Sequence, residues 1–86
     1  MEVLKEFGKL IRSRRRERGI SQEKLAELCD LSACQIVNIE QGRVNVRFLN
    51  LIRLCKECNI ETGELAKFYT APYSEESIEF HEMAHK

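Results

Sequence analysis

At 86 residues the chain has room for one compact domain with a modest core, too little for a two-lobed catalytic cleft. Hydrophobic residues at 43% and charged residues at 33%, with one proline and four glycines, suit a soluble helical protein and exclude a disordered or collagen-like chain. Formal charge is zero overall, but residues 1–47 carry ten Lys/Arg against seven Asp/Glu and residues 48–86 carry four against seven, so one end is basic. No stretch is apolar enough to span a membrane, and the charged start "MEVLKEFGKL" lacks a signal-peptide core, so a cytoplasmic protein is expected.

In chain order, Val3, Leu4, Phe7, Leu10 and Ile11 form one helical stripe, and Gly19 ends this first helix after arginine-rich last turns whose cations suit a helix C-terminus. The run "RSRRRER", Arg12 to Arg18, reads either as a nucleic-acid face or as the solvated side of that helix. Ser21 is an N-cap for a short second helix carrying Leu25, Ala26, Leu28 and Cys29, closed by Asp30, a residue that tolerates the left-handed turn. Ser32 with Gln35 is a capping box for a third helix with Ile36 and Ile39 inward, ended by Gly42. Asn45 is then expected to cap a fourth helix with Phe48, Leu51, Ile52, Leu54, Cys55 and Cys58 at core spacing, and Leu65, Phe68 and Tyr69 suggest a fifth. The fold class is therefore all-α, a compact five-helix bundle over residues 1–70, followed by a tail over 71–86.

Two short helices joined by a tight turn, "SQEKLAELCDLSACQIVNIEQG", have the dimensions of a helix-turn-helix whose second helix enters the DNA major groove. Gly8, Ile11, Arg15, Gly19, Ser21-Gln22, Leu25-Ala26, Ser32, Ile36, Ile39-Glu40, Gly42, Asn45, Leu51 and Leu54 stand where the Cro and phage-repressor family has its signature, and the segment from Phe7 to about Leu65 resembles that family. The resemblance implies a lambda-repressor-like domain that regulates transcription by binding double-stranded operator DNA, usually as a homodimer. It implies that Gln22 helps hold a phosphate, that Arg15 and Glu40 form a bridge tying the first helix to the end of the third, and that Arg43, Asn45 and Arg47 contact the DNA backbone.

A step of 100° per residue puts Ala33, Cys34, Val37, Asn38 and Gln41 opposite Ile36 and Ile39. Positions 33, 34, 37 and 38 match those that read base edges in the family, Ser32 is a further DNA-binding candidate, and Gln41, also on this side, is expected to sit beyond the groove. Asn38 has the amide for a bidentate pair with adenine, and Ala33 and Val37 offer methyl contacts to thymine. The chain departs from the family at Asp30, where glycine is frequent, and at Arg14, where an aliphatic residue is frequent.

Cys55 and Cys58 have the spacing of a redox or zinc pair that Cys29 and Cys34 could complete, but the helical period places Cys29, Cys55 and Cys58 inward. Free buried thiols are expected, with Cys34 alone on the outer face, and neither a metal nor a cofactor. In the tail, His81-Glu82-x-x-His85 matches the zinc-peptidase pattern. Such a peptidase needs a supporting sheet, a third ligand and a peptide-holding cleft, whereas no strand is predicted ahead of the tail and the core side chains belong to the helices, so no catalytic residue is expected. The rest of the tail starts at Pro72 and reads as a short helix capped by Ser74 or as a strand around Ile78 and Phe80. The resemblance implies that Leu65, Phe68, Tyr69, Ile78 and Phe80 form the dimer surface, the alternative being contacts within the monomer. The alternative function is a protein-interaction module, such as an antitoxin whose tail binds its partner and whose DNA binding is autoregulatory.

Overall fold

The computed structural model describes residues 2–70, apart from the side chains of Thr62, Lys67, Tyr69 and Thr70. Five helices follow one another: α1 (Glu2–Glu17), α2 (Gln22–Cys29), α3 (Ala33–Glu40), α4 (Phe48–Glu57) and α5 (Thr62–Thr70). No strand occurs among the described residues.

Each of the first four helices ends in the same local device. After α1, Gly19 turns left-handed at φ 72°, the Gly19 N–H donates to Arg16 O at 2.9 Å and the Ile20 N–H to Arg15 O at 3.3 Å, which satisfies carbonyls the helix would leave bare. Asp30 (φ 57°), Gly42 (φ 70°) and Asn59 (φ 59°) repeat this after α2, α3 and α4, the next residue donating to Ala26 O at 2.8 Å, Asn38 O at 3.0 Å and Cys55 O at 2.8 Å. Asp30 thus does the work for which glycine is frequent, through the tolerance of aspartate for this conformation. The N-terminal signals also hold: Ser21 Oγ accepts the Lys24 N–H at 3.0 Å, and the Ser32–Gln35 box is complete at 3.1 and 2.8 Å.

The expected cap at Asn45 is corrected. Arg47 occupies the N-cap of α4 without a side-chain cap bond, and Asn45 lies exposed in the preceding loop. The α4 ladder opens with the Leu51 N–H on Arg47 O at 2.8 Å, two residues further along than a helix capped by Asn45 would begin.

α2 packs on α3 and α4, while α1 packs on α3 and α5. Ile11, Leu25, Cys29, Ile36 and Leu54 are completely enclosed, with Phe7, Ala26, Ile39, Cys58 and Ile60 around them. Each large aliphatic buried in this way contributes about 1.5–3 kcal/mol relative to exposure. Gly8 allows the closest approach: a Cβ there would lie 2.4 Å from Glu40 O and 2.5 Å from Ile39 O, so only glycine lets α1 rest on the end of α3. Gly42 does the same against the Lys5 backbone, where a Cβ would meet Lys5 Cα at 2.6 Å.

The core expectation is corrected for Phe48 and Ile52, which are 72% and 48% exposed, and for Leu28 at 38%. α4 buries its Leu54 and Cys58 side and leaves Phe48, Leu49 and Ile52 outward. Leu65 and Phe68, candidates for a dimer surface, are partly buried against the monomer's own core, the Phe68 ring meeting Phe7 edge-on at 6.3 Å. Arg14 explains its own departure from the family pattern: its guanidinium forms a two-pronged ion pair with Glu64 and donates to Asn59 O at 3.1 Å, clasping α5 to α1.

Candidate nucleic-acid interface

Because Ile36 and Ile39 are drawn into the core, the opposite side of α3 is turned outward. Cys34 and Gln41 are exposed there, and Ala33, Val37 and Asn38 are half-buried. The Asn38 amide donates to Cys34 Sγ at 3.7 Å, one turn back along the helix. Its carbonyl oxygen and second amide hydrogen have no other hydrogen-bond partner among the described residues, which leaves the donor and acceptor pair that matches the N6 and N7 edge of adenine. Ser32 uses its hydroxyl on the Gln35 N–H and is exposed at the helix entrance.

A buried polar knot fixes the orientation of α3. The Glu40 carboxylate accepts from Arg15 Nε at 2.7 Å, from Arg15 Nη2 at 3.2 Å and from Gln22 Nε2 at 3.1 Å, while Arg15 Nη1 donates to Ile20 O at 2.9 Å. Glu40 and Arg15 have only 2% and 10% of their side-chain surface exposed. The carboxylate bond raises the Arg15 pKa above its ordinary value against the opposing effect of burial, so the guanidinium remains charged. The bridge expected from the resemblance is present, and Gln22 belongs to it, a connection that the sequence did not signal. One Gln22 amide hydrogen is held by Glu40, and the residue is half-buried.

Arg43, Asn45 and Arg47 are exposed on the loop between α3 and α4 and make no ion pair among the described residues. The structure thus brings Gln22 and this loop to the C-terminal end of α3, beside its outward side. Cys29 and Cys58 are buried and Cys55 half-buried; burial raises all three thiol pKa values, that of Cys58 to about 11. Among the described residues no three His, Cys, Asp or Glu side chains converge as metal ligands. Tyr69 as a side chain, Ile78, Phe80 and the His81-Glu82-x-x-His85 pattern lie outside the described residues.

A two-helix unit with a rigidly seated, outward-facing second helix and flanking cations defines a DNA-binding domain. The chain belongs to the helix-turn-helix family of the Cro and phage-repressor type, whose model matches residues 11–65, a family of DNA-binding transcription regulators and not of enzymes. It is similar to the control protein C.BamHI of Bacillus amyloliquefaciens, 37% identical over 65 residues that cover 74% of this chain and 80% of that protein. Among solved structures it is similar to the restriction-modification controller protein C.AhdI from Aeromonas hydrophila, with a TM-score of 0.66, 37% identity, and coverage of 72% of this chain and 90% of that one. The clp gene regulator ClgR of Corynebacterium glutamicum shares the fold at a TM-score of 0.70 and 19% identity, over 96% of this chain and 87% of that one. No helix among the described residues is long and apolar enough to cross a membrane.

Proposed function

We propose that this transcription regulator acts in the cytoplasm as a homodimer on a two-fold operator, with α3 in the major groove of each half-site. The observation that carries the reading is the seating of α3. Its inner side is locked by Ile36, Ile39 and the Arg15–Glu40–Gln22 knot, and its outer side presents Asn38 beside Ala33, Cys34 and Val37. Asn38 is the principal base reader, with methyl contacts from Ala33 and Val37 and Gln41 at the edge of the set. Gln22, Ser32, Arg43, Asn45 and Arg47 hold the backbone without sensing sequence. The 37% identity to two controllers supports a role in controlling restriction-modification genes.

The second copy docks on the outward side of α4. Phe48, Leu49 and Ile52 are 72%, 64% and 48% exposed, and Val44 on the adjoining loop is 39% exposed, an apolar patch that begins directly after the α3 end. A partner seated there places both recognition helices beside the symmetry axis, as half-sites one DNA turn apart require. Leu65 and Phe68, partly buried against the core, remain candidates for the same interface. No feature of the described residues favours the antitoxin alternative.

The test separates reading from positioning. Asn38→Ala is expected to lose about 1–3 kcal/mol on the operator and little on scrambled duplex, with an unchanged salt slope. Arg43→Ala should weaken both duplexes alike and flatten the slope by about one per monomer. Equal weakening of both duplexes by Asn38→Ala would defeat the assignment of α3.

A further inference from the structure

We propose that the outer column of α1, formed by Lys5, Arg12 and Arg16, is a second phosphate-binding track that takes the DNA backbone flanking the operator. The inference rests on the reading of α3 as the groove helix and adds a contact beyond the helix-turn-helix.

The charges of α1 are segregated around its axis. At 100° per residue, Gly8 and Arg15 form the edge that faces α3, and Lys5, Arg12 and Arg16 fall within roughly 40° of one another about 70° further round. Glu2, Glu6 and Glu17 lie beyond them on the far side. Lys9 is adjacent but paired with Glu6 at 3.4 Å, and Glu17 turns back to Arg14 at 3.8 Å. Lys5, Arg12 and Arg16 are exposed, and among the described residues no carboxylate lies within ion-pair distance of any of them.

The column is continuous with the proposed DNA face at both ends. Lys5 lies against Gly42, whose missing Cβ would meet its backbone, and Gly42 precedes Arg43. At the other end, Arg16 follows Arg15, which holds Glu40 and through it Gln22. The border between column and α3 is thus anchored at two of the proposed backbone contacts. From Lys5 to Arg16 the column runs about 16 Å at 1.5 Å per residue, long enough to follow several phosphates spaced about 3.4 Å along the duplex axis. Helix-end electrostatics account for Arg16, in the last turn, but not for Lys5, which lies in the positive N-terminal part of the helix dipole. Three unpaired cations in one row repel one another, and a polyanion relieves that repulsion.

The experiment uses the full chain, an operator duplex trimmed to its contacted length, and the same duplex extended by about ten base pairs at each end, titrated over roughly 50–200 mM salt. The parent should bind the extended duplex more tightly and with the steeper salt dependence. Arg12→Ala with Arg16→Ala should remove that gain, making the slope on the extended duplex shallower by about two per monomer, while affinity for the trimmed duplex stays at the parent level. Arg12→Lys with Arg16→Lys should restore the gain, since charge and not shape is used, and urea unfolding of all variants should coincide because neither arginine has a partner in the fold. Identical binding of parent and alanine variant to the extended duplex, as for a track that serves an acidic protein surface, would overturn the proposal. So would an equal loss on both lengths, which places the arginines over the operator itself. A parent that binds operator and scrambled duplex alike would instead overturn the reading of α3.

Discussion

Glu40→Ala removes the acceptor on which the α1–α3 junction depends. The carboxylate takes three hydrogen bonds, two from Arg15 and one from Gln22, in a place where Glu40 is 2% and Arg15 10% exposed. Without it the guanidinium keeps only the Ile20 carbonyl and remains charged in a largely dry site. Breaking a buried pair on one side costs about 3–5 kcal/mol, because the surviving charge is left uncompensated. A domain of this size has about 5–10 kcal/mol in total, so the variant is expected to be marginal at room temperature. Urea unfolding followed by far-ultraviolet circular dichroism measures this directly: with a slope of about 1 kcal/mol per molar, a loss of about 3 kcal/mol moves the midpoint by about 3 M. Replacing both partners, Arg15→Met with Glu40→Leu, should recover most of the loss, since an apolar pair leaves no charge stranded. A Glu40→Ala unfolding free energy within about 0.5 kcal/mol of the parent, the range of ordinary surface changes, would show that the carboxylate does not hold the junction.

Two further outcomes follow from the same structure. Phe48→Asp with Ile52→Asp should leave the circular dichroism unchanged, because both side chains are largely exposed, yet shift the sedimentation mass from two chains to one and abolish operator binding at concentrations where the parent is saturated. A variant that sediments as a dimer would exclude the α4 surface as the dimer contact. The second outcome concerns pH. Burial raises the Cys58 thiol from 9.0 to about 11, so the unfolded chain loses this proton first and stability, complete below pH 9, falls as pH rises towards 11, by up to about 3 kcal/mol. Cys29 and Cys55 shift in the same direction. Urea midpoints at pH 7.5 and 10.5 should therefore fall further apart in the parent than in Cys58→Ala, and parallel declines would contradict the assignment.

Signals confined to a few residues were legible before any coordinates. Ser21, the Ser32–Gln35 box, Gly19, Asp30 and Gly42 announce helix ends because the chemistry of a cap is completed within about five residues. The Arg15–Glu40 bridge was legible only through the family resemblance, since 25 residues separate its partners. Arg14–Glu64, 50 residues apart, had no signal of either kind. Periodicity made α4 amphipathic but could not say that α2 and the core cover only the side bearing Leu54, leaving Phe48 and Ile52 to solvent. The Asn45 cap failed too: an asparagine before an apolar run suits a cap, but the chain stays extended through Arg47, which takes the cap position at φ −67° and ψ 149°.

The reading of DNA sequence by the outward side of α3, as one half of a symmetric pair, is open to direct test. Its most direct measurement is the recovery and sequencing of genomic fragments bound by the purified chain, in parallel with Asn38→Ala. The parent should enrich a recurrent two-fold related sequence with half-sites one helical turn, roughly 34–36 Å, apart, and Asn38→Ala should lose that enrichment while still retaining DNA at low salt. Fragments without a common sequence, or the same sequence enriched equally by the variant, would contradict it.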